Sequence, residues 1–374
     1  MISRTHLFIV VSFFSTLSIP FLYATKGYFT DPLNLFGGNS RTIYQDLNKD
    51  GRMRAAVVLR NASYNSLILG SSMLLRLNEN QLSVGRLKYV NVSTLGSTIH
   101  ERLSYLKFAL DKKRLQSVVF SMDHGLSLHR RDFPINMDPT SWMYLFDKYT
   151  INDLKIYFSQ EYFSCVIGVP LFPCGIRRMS SKKSDDWYQG QVLKNSEIAG
   201  INGWKAKGGR WKNISSRASR IIKNKPFVKD DTTDYVSDLF ELRRVASENK
   251  KTEFVLIVPP YSMLYLKLMY ENNNRMFSEY REFISNIYHI FQGVGNVRLI
   301  YIDGHLSTGD LQEYIDLRHY KFGGNVVREM VSYIESDSNH LNENFAVRFT
   351  ELENILSDYN YTGFIEAYKK GVKK

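Results

Sequence analysis

The feature that most constrains this chain is a set of short apolar runs that alternate with helical patterns. Residues 66–69, 89–92, 117–122, 252–260 and 297–303 each read as a strand. The cores of these runs, such as Leu67–Ile68–Leu69 and Val118–Val119–Phe120, carry no polar residue at every second position. Strands covered on both faces have that pattern. Between the second and third runs, a helix over 98–113 sets Ile99, Leu103, Leu106 and Leu110 on one face. A further helix falls near 325–335. Strands separated by helices predict an α/β fold, a three-layer α/β/α arrangement around a parallel sheet. In such sheets ligands bind beyond the carboxyl ends of the strands. Gly70, Ser72, Asn91, Asp123 and Tyr261 all sit at or just past those ends.

The first strand runs into "LILGSSMLLRL". Gly70 allows a sharp turn or a close backbone approach. Ser71 or Ser72 suits the N-cap of a helix holding Met73, Leu74 and Leu77. Ser72 also suits a nucleophile at the end of a buried strand. The partner such a nucleophile needs occurs near the other end of the chain, in "IDLRHY". Asp316 and His319 are three residues apart, so one turn can point both the same way. A serine needs a base to take its proton, and the base needs a carboxylate to orient it.

The 374 residues are 44% hydrophobic, enough for a large core with insertions or for two domains. The net charge of +12 raises nucleic-acid binding, but no zinc-finger spacing, RNP-like motif or long basic block accompanies it. The basic residues are scattered, apart from "RRMSSKK" at 177–183 and "YKKGVKK" at 368–374. They predict a solvated surface, suited also to anionic lipid or an acidic polysaccharide. Residues 7–24 carry no charge, with Arg4 before and Lys26 after. This run predicts a membrane anchor or signal segment over 1–25, favoured as an uncleaved signal anchor. Residues 26–64 read as a connecting region. Within it, "DLNKDGRM" imitates the start of a calcium loop, but Arg54 and Val57 stand where ligands belong, so a polar turn is expected. Cys165 and Cys174 are spaced either for a small disulfide loop or for two buried thiols. His124 and His129 lack a third ligand at metal spacing, so no metal is expected. Residues 127–251 read as an insertion, a cap or substrate region. They hold Trp142, Trp187, Trp204 and Trp211, and "GWKAKGGRW" suggests either a mobile loop with rings for sugars or ordinary packing.

Four blocks in order resemble the SGNH (GDSL-like) hydrolase superfamily, especially its membrane-anchored, exported members linked to cell-surface polysaccharide acylation. They are "ILGSSM", "NVSTLGSTIHE" at 91–101, "VVFSMDHG" and "DLRHY". The resemblance covers 65–126 plus 252–340 and leaves a C-terminal helix and basic tail over 341–374. It implies Ser72 as nucleophile, His319 as general base and Asp316 as its orienting partner. It implies the backbone N–H groups of Ser72 and Gly96 as oxyanion donors, with Asp123 beside them as an oxyanion or substrate-binding position; Trp204, in the insertion outside the resemblance, is a substrate-binding candidate from its aromatic stretch alone. Asp123 departs from the family, which often has a donor Asn there. An ionised carboxylate about 4 Å from an oxyanion would cost roughly 4 kcal/mol at an effective dielectric near 20. Asp123 must therefore be protonated, turned away or otherwise employed, or the site is inactive. The resemblance implies an anchored serine esterase or O-acyltransferase, acetyl groups favoured, acting on a cell-envelope glycan. It implies no cofactor, a possible membrane acyltransferase partner, and a bacterial inner-membrane location with the soluble domain in the periplasm. The alternative is a non-catalytic glycan-binding or scaffold protein of the same fold.

Overall fold

The computed structural model describes residues 18–36, 51–124, 142–159, 163, 166–167, 199–206, 208–223, 235–304, 306–321 and 323–372. They fall into two compact units, one within 1–62 and 139–187, the other within 63–138 and 188–374. The division differs from the one read off the sequence. Among the described residues, those between 139 and 187 group with the N-terminal segment, while those between 188 and 251 group with the sheet.

The larger unit is α/β. Its five strands are β1 (Ser66–Leu69), β2 (Tyr89–Asn91), β3 (Ser117–Ser121), β4 (Glu253–Val258) and β5 (Val297–Tyr301). All neighbours are parallel, in the order β2-β1-β3-β4-β5. The register pairs Leu67 with Val90 and Val118, Val119 with Val255, and Leu256 with Leu299. β1 matches its apolar run, and each of the other four strands is a residue or more shorter than its run. β4 stops at Val258 because Pro259 and Pro260 follow and bring no N–H to a ladder. The order reverses direction at β1, so the switch point lies where β1 and β3 end side by side, at Gly70–Ser72 and Asp123.

Helices cover the sheet on two sides. Among them are α1 (Glu79–Leu82), α2 (Ile99–Lys112), α3 (Gly200–Ala206), α4 (Gly208–Ile222), α5 (Tyr235–Glu248), α6 (Met263–Asn272), α7 (Asn274–Phe291), α8 (Asn325–Glu335) and α9 (Phe345–Asp358), and Leu306–Gly309 and Thr362–Val372 are helical as well. α2, α5 and α7 pack in a row, while α1 meets α8. Right-handed crossovers from this strand order put those two groups on opposite faces. Thr98 caps α2 by accepting from the Glu101 N–H at 3.2 Å. α7 buries Phe277, Tyr280, Ile284, Ile287 and Phe291, a stripe at helical spacing. Each such fully buried side chain contributes roughly 1.5–3 kcal/mol.

The helix expected after Ser72 is a single 3-10 turn, Leu74–Arg76. Its capping position, Met73, makes no side-chain cap bond. In the stretch 203–211, Gly203 to Ala206 belong to α3, and Gly208 to Trp211 to α4.

In the smaller unit, residues 18–30 are helical and Gly51 opens the helix Gly51–Asn61. Gly51 therefore belongs to a helix rather than a turn, and Asp46, Asn48 and Asp50 lie outside the described residues. Tyr157 Oη donates to Asp31 Oδ1 at 2.6 Å, and buried Asp153 pairs with Arg60 at 2.7 Å. Among the described residues no helix is long and apolar enough to cross a membrane. Residues 7–17 of the apolar run, with Cys165, Cys174, His129 and Trp187, lie outside the described residues.

Candidate active site

The turn after β1 is built to present one hydroxyl. Gly70 is forced: a Cβ there would stand 2.5 Å from the Leu74 Cβ as the chain doubles back. Ser71 is fully buried, and its Oγ accepts from the Met73 N–H at 3.2 Å. Asn91, at the end of β2, donates through Nδ2 to the Leu74 and Leu77 carbonyls, both at 2.9 Å. The Tyr320 hydroxyl donates to the Met73 carbonyl. These bonds satisfy the Met73 N–H and the Met73, Leu74 and Leu77 carbonyls, and Ser72 does not serve as a cap. Its Oγ lies 2.8 Å from His319 Nε2, across 247 residues of chain.

His319 is held by a small hairpin. Tyr314 and Tyr320 form an antiparallel bridge, closed by Ile315 N–H to the His319 carbonyl (2.8 Å) and Lys321 N–H to the Glu313 carbonyl (2.7 Å). Asp316 organises the tip. Its Oδ1 accepts from the backbone N–H groups of Arg318 (2.8 Å) and His319 (2.9 Å), and its Oδ2 lies 2.8 Å from His319 Nδ1. Burial pushes the Asp316 carboxyl up, but the His319 ring and the two N–H donors outweigh it and hold Asp316 well below the usual carboxylate range. The carboxylate thus stays charged and acceptor-only, which orients an Nδ1–H toward it and leaves Nε2 facing Ser72 as acceptor.

The loop after β2 lies against the serine turn. The Gly70 carbonyl accepts from the Thr94 N–H (2.8 Å) and the Ser97 hydroxyl (2.9 Å). Gly96, between them, has φ +67°, a left-handed conformation that side chains disfavour. Among the described residues neither the Ser72 nor the Gly96 N–H has a protein acceptor. Two donors near the serine are therefore open to a ligand.

Asp123 is turned to another use. It is 1% exposed, its Oδ2 accepts from the Ser121 hydroxyl at 2.7 Å, and it pairs with the fully buried guanidinium of Arg102 at 2.8 Å. Arg102 also donates to the Thr98 and Ser121 carbonyls, at 3.0 and 2.6 Å. The carboxylate is a member of a buried ion pair rather than a lone anion facing an oxyanion. His124 is buried, its ring against Tyr280 and Phe283.

Trp204 is not a sugar platform. It is 0% exposed, and its Nε1–H donates to the Tyr314 carbonyl at 3.0 Å. The Gly200 N–H donates to the same carbonyl at 3.0 Å. α3 thereby braces the base of the hairpin that carries Asp316 and His319. Ser262 does similar work at the tip: it caps α6 by accepting from the Tyr265 N–H, and its Oγ donates to the Leu317 carbonyl at 2.5 Å. Arg102 carried a signal that sequence reading passed over. It falls three residues after Ile99, on the apolar stripe of its helix. A cation at such a position predicts a buried anion.

Compared with known proteins, the chain matches no family model and no curated protein.

Proposed function

We propose that this chain is a serine esterase or O-acyltransferase of SGNH type, working through an acyl-Ser72 intermediate. The observation that carries the reading is the continuous 2.8 Å, 2.8 Å relay from Ser72 through His319 to Asp316. His319 Nε2 takes the Ser72 proton as Oγ attacks the ester carbonyl carbon. Charge collects on the carbonyl oxygen, and the Ser72 and Gly96 N–H groups are the donors for it. One such donor is worth roughly 3–4 kcal/mol of barrier. The tetrahedral adduct expels the alcohol, which leaves with the proton from His319. Water or a sugar hydroxyl then repeats the sequence on the acyl-serine. Asp316 stays ionised throughout and stabilises the imidazolium.

The Arg102 partnership of Asp123 supports activity, since it removes the need for a lone carboxylate at the oxyanion. The uncharged run 7–24 supports a single-pass anchor, with the sheet-bearing unit outside the cytoplasm. A tethered acyl-ester enzyme suits a surface polymer, so a cell-envelope glycan is the substrate and acetyl the acyl group of choice.

The test is labelling of the full-length protein with a fluorophosphonate probe, beside Ser72→Ala and His319→Ala. A label that maps to Ser72 and is lost in both variants is expected. A folded wild-type protein that takes no label would favour a glycan-binding or scaffold role for the same fold.

A further inference from the structure

Two arginines stand beside the serine site without a carboxylate of their own. Arg318 immediately precedes His319, and its backbone N–H is fixed by Asp316. Its guanidinium stacks on the Tyr265 ring of α6, 5.9 Å from the centroid. Its Nε is buried with no hydrogen-bond partner among the described residues. The second cation comes from α4, whose buried stripe is Ile214, Ala218 and Ile221. Arg217 falls on that stripe, half-buried, and α4 packs on the same α6. No ion pair or hydrogen bond holds the Arg217 guanidinium among the described residues.

The acid that both arginines sense is Asp316, and its two oxygens are already engaged by His319 and two backbone N–H groups. Burial, and next the charge of Arg318, lower the Arg217 pKa from its ordinary value, while at Arg318 burial is outweighed by Tyr265, Tyr261, Asp316 and Asp123, which raise its pKa. Two guanidinia in one half-buried place repel each other and have lost part of their hydration. That arrangement is favourable once an oxyanion bridges them, because a planar fork matches a carboxylate in two parallel hydrogen bonds.

Resting on the acyl-ester reading above, we infer that Arg217 and Arg318 form a carboxylate-binding subsite beside Ser72 and His319, and that the ester turned over carries a negative charge. The carboxylate belongs either to the sugar, as in a uronic acid, or to the acyl group, as in a dicarboxylic half-ester. Each arginine–carboxylate contact is a charge-assisted hydrogen bond, so a preference of at least about tenfold over the neutral counterpart follows.

The experiment uses the full-length protein and two matched pairs of esters. One pair is an O-acetylated methyl glucuronoside and the corresponding methyl glucoside. The other is mono-4-nitrophenyl succinate and 4-nitrophenyl acetate. The expected result is a kcat/KM ratio favouring the charged member of one pair by tenfold or more. That ratio collapses toward unity in Arg217→Gln and in Arg318→Gln, and partly recovers in Arg318→Lys; circular dichroism confirms that each variant is folded. The pair that shows the ratio identifies the source of the charge. Equal rates within both pairs, or a ratio that survives in both glutamine variants, overturn the inference. Calorimetric titration with sodium glucuronate and with sodium succinate separates this from failure of the acyl-ester reading. If Ser72 takes no probe and no ester turns over, saturable binding of either anion that both glutamine variants abolish still upholds the subsite. No binding of either anion overturns it.

Discussion

At the scale of single residues, the site is a set of groups each given one task by its neighbours. Asp316 has both oxygens committed, so Asp316→Asn would place an amide where His319 needs an acceptor and present the wrong ring tautomer to Ser72. A fall in esterase kcat of roughly 10³–10⁴-fold is expected, with a near-native circular dichroism spectrum. Asp123→Asn is predicted to act differently, on stability. It leaves the Arg102 guanidinium buried and unmatched, which costs about 3–5 kcal/mol in urea unfolding. Replacing both partners with apolar residues of similar volume recovers most of that loss. Ser72, His319 and Asp316 were legible in the sequence because each is a reactive type at a strand end or turn. The employment of Asp123 was not, because an ion pair with Arg102 depends on how α2 rotates over β3. Arg217 was missed for a related reason. A cation on an apolar stripe is visible in sequence, but its neighbour Arg318 comes from a hairpin about a hundred residues away.

At the scale of elements, the strands were readable because apolar runs covered on both faces need no periodicity to be seen. The last residue or two of every run but the first fell outside its strand, at the end of β4 because Pro259 and Pro260 bring no N–H to the ladder. The helix after Ser72 failed to appear for a physical reason. Asn91 and Tyr320 capture the carbonyls of Met73, Leu74 and Leu77, so the segment closes as one tight turn. The short α3 escaped detection because seven residues with two glycines carry no reliable period. Its task is to brace the hairpin. Trp204→Phe keeps the ring in the core and removes the Nε1–H donor to Tyr314. A loss of about 1 kcal/mol in stability is expected. The accompanying drop in kcat should exceed the drop seen for an equally destabilising change in the distant α7, which would mark Trp204 as a positioning residue.

At the scale of the whole molecule, the doubly wound order 2-1-3-4-5 explains why so distant segments meet. β1, β3, β4 and β5 all point their carboxyl ends to one edge, and Ser72, Asp123, Tyr261 and Asp303 lie there. Asp303 gives the fold a pH dependence. It is buried past β5, accepting from the Tyr261 N–H at 3.1 Å and from the Tyr280 hydroxyl. Burial pushes its carboxyl up to about 8, only partly offset by the Tyr261 N–H and the Arg348 charge. A raised pKa means the folded state binds the proton more tightly than the unfolded chain. The associated stability is complete below the unfolded pKa near 4 and is lost as pH rises through about 8. Thermal unfolding between pH 5 and 8 should show stability falling by up to about 1.4 kcal/mol per pH unit from this group. Asp303→Asn should flatten that slope, whatever it does to stability at pH 5.

In the proposed reaction Ser72 carries the acyl group. The direct measurement is rapid acid quench of the full-length protein during turnover of an activated acetyl ester, followed by peptide mass spectrometry. Acetyl on the Ser72 peptide is predicted in the wild type, with its appearance slowed in His319→Ala and absent in Ser72→Ala. Ester turnover that proceeds in Ser72→Ala at the wild-type rate, or acetyl found on other residues alone, would contradict the account.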